Sequence, residues 1–190
     1  WALGYAHRVN SLSFYDAVEE NISEQIASIE QLSPEFIEDS LQDTLDYLWK
    51  QEQLPENLDA VQIAENIITK TRDIKVFDFI TDQIDTQFDT IMAMESIEIA
   101  DTYEEYVASL QNVRRMLKPE GLFLGIILPY EELLPGTQEA IDIRREGRLN
   151  PGLKETEKAF AEAGWNLESL ETYETLQPNY PQAICFYARP

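Results

Sequence analysis

An α/β fold on a mostly parallel sheet follows from residues 88–128, where three features require it. FDTIMAM (88–94) is a short apolar run bounded by acids, as a buried strand should be. Tyr103, Tyr106, Val107, Leu110, Val113 and Leu117 then recur at three- and four-residue steps, which puts one apolar stripe on a helix. LFLGIIL (122–128) is a second buried strand. Two buried strands joined by a crossover helix make a βαβ unit, hence a parallel sheet covered by helices. Between helix and second strand, Lys118-Pro119-Glu120-Gly121 is expected to act as the stop. Pro119 cannot continue a helix, and Gly121 permits a positive-φ turn.

The remaining elements follow in chain order. Residues 1–12 read as irregular. A helix is expected from Ser13, with Val18, Ile22, Ile26 and Ile29 on one face and Asp16, Glu19 and Glu20 favouring its N-terminal end. Ser33-Pro34 restarts the chain as N-cap and first helical residue. Phe36, Ile37, Leu41, Leu45, Leu48 and Trp49 give a further apolar face, although TLDYLW (44–49) also suits a strand. QEQLPENLD (51–59) is a polar loop, AVQI (60–63) a short strand, Ala64–Thr71 a helix and IKVFDF (74–79) a strand. TDQIDTQ is an acidic loop. After residue 128 a helix is expected over 137–146, with turns at Gly136 and at Asn150-Pro151-Gly152. Leu153–Ala163 is a helix ended by Gly164, and residues 165–176 and 182–188 are closing strands. The chain is expected to divide into a segment, 1–32, holding an acidic helix, and a domain over 33–190.

Composition excludes several kinds of chemistry. The single cysteine, Cys185, rules out an intramolecular disulfide framework and a CxxC metal site, and in AICFYA it reads as a small core residue. With one histidine, His7, no multi-histidine metal centre is possible. The net charge of -22 disfavours direct binding to a nucleic-acid backbone or an anionic membrane. Residues 9–69 hold fourteen acids and one base, Lys50, so a partner with a basic surface fits the first third. No apolar run approaches the roughly 20 residues of a membrane span. The chain starts at Trp1, which fits either removal of a targeting segment or a fragment.

The order strand, helix, Leu-Lys-Pro-Glu-Gly, strand at 88–128 resembles the second half of a class I S-adenosylmethionine (SAM) methyltransferase. Further segments narrow the likeness: GLFLGIILPYEELLP, IDIRREGRLNPG, AEAGWNLESLETYETLQPNYP, QIAENIITKTRDIKVFDF and SFYDAVEENISEQIASI. Together they resemble the methyltransferase-like arginine hydroxylase that assists assembly of respiratory complex I, and its relative, the malonyl-carrier-protein methyltransferase of biotin synthesis. The resemblance implies a Rossmann-like fold, a mostly parallel sheet with helices on both faces, and an antiparallel C-terminal strand. It also implies a mitochondrial, matrix-side location.

The cofactor site departs from that pattern. Such enzymes carry a glycine-rich loop after the first strand, because glycine lets the backbone turn tightly against the cofactor. Here no glycine occurs between Gly4 and Gly121, and Leu48, Trp49, Lys50 and Gln51 are expected in its place. The acid that takes the ribose hydroxyls closes the second strand. That position is expected at Gln62, which accepts only one such bond well, with Glu65 three residues on. Asp46, Gln62 and Asp78 are thus vestigial positions. Glu98 and Asp101 fall where the family faces its substrate but read as a solvated acidic loop. Arg144, Arg145 and Arg148 are expected to pair with the chain's own carboxylates. No catalytic residue, no metal and no cofactor are expected. The function expected is that of a pseudoenzyme, an accessory subunit or assembly factor binding protein subunits of a mitochondrial complex, foremost complex I. The alternatives are an active SAM-dependent methyltransferase or arginine hydroxylase with a pocket lined by Leu45–Gln53, Gln62 and Asp78, and an acidic module that docks a basic partner.

Overall fold

The structure is a computed structural model that describes residues 8–16, 19–33, 50, 58–94, 96–97, 100–174 and 182–190. The chain forms two compact units, residues 1–77 and 78–190. The expected division after residue 32 falls inside the first of them.

In the first unit, β1 (Leu12–Asp16) and β2 (Thr71–Val76) pair in parallel, from Leu12 opposite Thr71 to Asp16 opposite Val76. The segment from Ser13 to Asp16, expected as helix, is strand. Leu12 and Phe14 are buried while Ser13 and Tyr15 are only half-buried, and a period of two is the signature of a strand. The helix begins later, as α1 (Glu19–Glu30), with Glu19 and Glu20 in its first turn where the helix dipole favours acids. Ile22 is buried and Ile29 packs at the core's edge, but Ile26 is 38% exposed.

AVQI is not a strand either. It opens α2 (Ala60–Lys70). Asp59 Oδ1 accepts from Gln62 N at 2.9 Å and Gln62 Oε1 accepts from Asp59 N at 3.2 Å, a reciprocal capping box that satisfies two otherwise orphaned donors. Ile63, Ala64 and Ile67 then face Leu12 and Phe14 to make this unit's core. The following strand starts three residues earlier than IKVFDF suggests and ends at Val76, and Phe77 N donates to Asp16 O at 2.8 Å.

The second unit carries a four-stranded sheet of order β3-β4-β6-β5. β3 (Phe88–Met94) and β4 (Leu117–Ile127) are parallel and joined by α3 (Tyr103–Arg115), the βαβ unit read from the sequence. β6 (Gln182–Arg189) runs antiparallel to β4, and β5 (Asn166–Glu174) antiparallel to β6. Between β4 and β5 lie α4 (Tyr130–Leu133), α5 (Gln138–Glu146) and α6 (Leu153–Glu162). α4, a single turn, has no counterpart in the sequence reading. Thr102 caps α3 in a second capping box, with Glu105. Gly164, at φ 83°, follows α6 as expected, since few other residues tolerate that conformation.

Gly121 does not adopt the positive φ expected of it. Lys118–Gly121 are an irregularity inside β4: pairing steps from Phe88 opposite Leu117 to Thr90 opposite Leu122. Gly121 is small for steric reasons, because a Cβ there would lie 2.8 Å from Lys118 O.

Tyr106, Leu110 and Val113 of α3 and Ala159 and Phe160 of α6 pack on Phe123 and Ile127 of β4 and Ile184 and Phe186 of β6. Phe123 lies 4.9 Å from Trp165 and 4.7 Å from Phe186, ring to ring. Trp165 Nε1 donates to Leu110 O at 3.1 Å, so its one polar atom is satisfied inside the core.

Candidate functional site

In α/β sheets, ligands sit outside the carboxyl ends of the parallel strands. In the first unit that end carries Asp16, the last residue of β1. Its backbone oxygen is held by Phe77 N, and its Oδ2 accepts from Asn21 Nδ2 of α1 at 3.1 Å. The backbone of Asp16 is thus held by the residue that follows β2, its carboxylate is held by the helix that follows β1, and the residue is half-buried. The sequence expectation gives Asp16 only the part of an acid favouring a helix start. The signal that finds it is the alternation of LSFYD, closed by an acid.

The sequence-predicted site residues fare differently. Gln62 does not close a strand; it is the third residue of α2, engaged in the capping box with Asp59. Glu65 is exposed one turn further along that helix. Asp46, Trp49 and the rest of the expected 45–53 pocket wall, apart from Lys50, lie outside the described residues, as does Glu98. Lys50 is exposed.

Asp78, two residues beyond β2 in the chain, opens a tight turn in the second unit. Its Oδ1 accepts from Ile80 N at 2.8 Å and its Oδ2 from Thr81 Oγ1 at 2.7 Å, while its own N–H donates to Asp82 Oδ2 at 2.8 Å. Asn112 Nδ2 of α3 ties the same turn down through Phe79 O and Asp82 O, at 3.0 and 2.6 Å. Asp78 is therefore a turn-former with both carboxylate oxygens engaged. The Ile80 N–H holds its carboxyl below the ordinary range, helped by Thr81 and opposed by partial burial. A depressed pKa contributes stability above the unfolded-state value, and that stability is lost as pH falls through the folded value. The turn at 78–82 is therefore expected to loosen only on acidification below the ordinary carboxylate range. NMR titration of the Ile80 amide checks this: a midpoint at the ordinary aspartate value, or an unchanged titration in Asp78→Asn, refutes it.

Among the other candidates, Asp101 is exposed and its N–H donates to Glu105 Oε2 at 3.0 Å beside the α3 cap. Arg145 pairs with Asp142 at 3.5 Å and Arg148 with Glu146, as expected, in exposed pairs that contribute little. Burial pushes the Cys185 thiol up, which keeps it protonated and disfavours a nucleophilic role. Among the described residues, no group of three His, Cys, Asp or Glu side chains is placed to hold a metal, and no helix is long and apolar enough to cross a membrane.

No family model and no curated protein sequence matches the chain. Solved structures do. It is similar to the N-methyltransferase NodS from Bradyrhizobium japonicum WM9, solved in complex with S-adenosyl-L-homocysteine (SAH), at TM-score 0.55 and 10% identity over 98% of this chain and 70% of that one. It also matches the methyltransferase CalO6, at TM-score 0.48 and 17% identity over 67% of this chain and 43% of that one. A SAM-dependent methyltransferase from Leishmania major matches at TM-score 0.48 and 11% identity, over 63% of this chain and 46% of that one. The chain spans less than half the length of the last two proteins. At these identities the likeness to NodS shows the fold. The chain has the Rossmann-like class I methyltransferase fold, with mixed sheets and an antiparallel C-terminal strand.

Proposed function

We propose that the chain belongs to a SAM-dependent methyltransferase and that Asp16 receives the ribose hydroxyls of the cofactor. The observation that carries this is an aspartate closing a parallel strand and held by the helix that follows. Vicinal hydroxyls need two acceptor oxygens with one orientation, which a carboxylate supplies and an amide does not. In this fold the glycine-bearing strand precedes the acid-ended one. If Asp16 is the acid, the glycine loop belongs before Leu12 in chain order, and the lack of glycine at 45–53 has no bearing on cofactor binding. The half-buried placement of Asp16 fits a group that meets a ligand.

Titration calorimetry with SAH tests the reading. Wild-type protein is expected to bind SAH, and Asp16→Ala to bind about 10- to 100-fold more weakly, the equivalent of one hydrogen bond to a charged acceptor. Binding unchanged in Asp16→Ala removes the residue from the site.

A second reading is supported by charge. α1 exposes Glu19, Glu20, Glu24 and Glu30 with no base in its last turn, and the whole chain carries -22. That suits a catalytically inactive accessory subunit or assembly factor docking basic protein subunits in a mitochondrial complex, with respiratory complex I foremost by resemblance to its arginine-hydroxylase assembly factor. Absence of SAH binding by the wild type, together with association that weakens steeply with salt, selects this second reading over the first.

A further inference from the structure

The carboxyl ends of β3 and β4 lie at one edge of the second unit's sheet, because the two strands are parallel. Two hydrogen bonds stitch chain connections together there. Leu149 N donates to Ala100 O at 2.9 Å, tying the turn before α6 to the connection that follows β3. Leu153 N, the first amide of α6, donates to Glu132 Oε2 at 2.7 Å, tying that turn to the connection that follows β4.

The second bond has the character of a latch. α4 is four residues long, lacks a side-chain cap and cannot persist as an isolated helix. Its carboxylate reaches 21 positions along the chain to a helix N-terminus, where the dipole and a free N–H both favour negative charge. Glu132 is exposed, so the contact is polar rather than packed. The seat is shaped for it: a Cβ on Gly152 would overlap the Glu132 carboxylate. Gly152 is in ordinary extended backbone, at φ −75° and ψ 179°, so no conformational reason for glycine competes with this one.

We propose that Glu132 latches the connection that follows β4, residues 128–137, to the N-terminus of α6, and that releasing it frees this connection. Hydrogen exchange on the intact chain tests it. Glu132→Ala removes the carboxylate, and Gly152→Ala displaces it from the other side, since the flexible carboxylate yields before the backbone does. Either substitution is expected to speed exchange of the Leu153 amide and of residues 128–137 about tenfold, while the β3–β4 amides stay unchanged. The double variant is expected to show no further increase, because both changes break one contact. Unchanged exchange in Glu132→Ala, or effects that add in the double variant, would overturn the proposal. Exchange reads the latch whether or not SAH binds, so a failed cofactor titration and a failed latch are told apart.

Discussion

Phe160→Ala is expected to cost about 3–5 kcal/mol of stability, the range for deleting a fully buried ring. Phe160 is 0% exposed and meets three other rings: Phe186 at 5.1 Å, Phe123 at 6.0 Å and Trp165 at 6.1 Å between centroids. Those rings come from β6, β4 and the turn that follows α6, so one side chain bridges three parts of the second unit. Three features keep the site from collapsing around a smaller residue. Phe123 is itself packed against Trp165 and Phe186, Trp165 is tethered to Leu110 O, and both strands are fixed by their ladders. The cavity therefore persists and adds to the lost transfer energy. Phe160→Leu, which refills part of the volume, is expected to cost less than half as much. Guanidinium unfolding of the three proteins checks the order. A cost under about 1 kcal/mol for Phe160→Ala would mean that the aromatic cluster repacks and does not hold α6 on the sheet.

The second unit is the part most legible in the sequence, for a physical reason. Its strands and helices are long apolar patterns, and Gly164 ends α6 where the sequence reading puts that end. Pro119, expected to stop α3, instead lies inside β4, past the helix end at Arg115. The first unit misleads because its signals are short and compete. LSFYD offers only five residues of alternation, and the acids beyond it favour a helix start, so strand and helix merged into one expected helix. AVQI has the β-branched residues of a strand, but Asp59 and Gln62, three apart, are a capping signature that decides for helix. With AVQI taken as a strand the ribose acid is expected at Gln62 and the glycine loop before it; with β1 as the strand, Asp16 is the residue we propose for that role. Gly121 departs from its expected positive φ for another reason. A Pro-Glu-Gly sequence gives the same signal whether the chain turns or bulges, and only the register against β3 distinguishes the two. The turn at Asp78 and the Glu132 seat depend on contacts 4 and 21 residues apart in the chain, and no periodicity reports the second of these.

Gly125→Ala sets two opposing effects against each other. In an unhindered strand the change should stabilise, since glycine loses more backbone freedom on folding, by about 0.5–1 kcal/mol relative to alanine. Gly125 is not unhindered. It stands opposite Ala93 on one side and Phe186 on the other, in the middle strand of a parallel and an antiparallel ladder. A Cβ there would overlap the Ala93 carbonyl oxygen and lie 2.7 Å from Phe186 Cζ. The ring could rotate, but the carbonyl belongs to β3's backbone, and moving it means parting β3 from β4. Overpacking a fixed site costs about 1–3 kcal/mol, more where backbone must shift. The clash is therefore expected to win, with Gly125→Ala losing about 2–3 kcal/mol and Gly125→Val losing more. Denaturant unfolding gives the sign directly, and exchange at Ala93 and Met94 locates the damage. A gain in stability would mean that β3 relaxes away from β4 at little cost, and that this parallel pair is more loosely joined than its register implies.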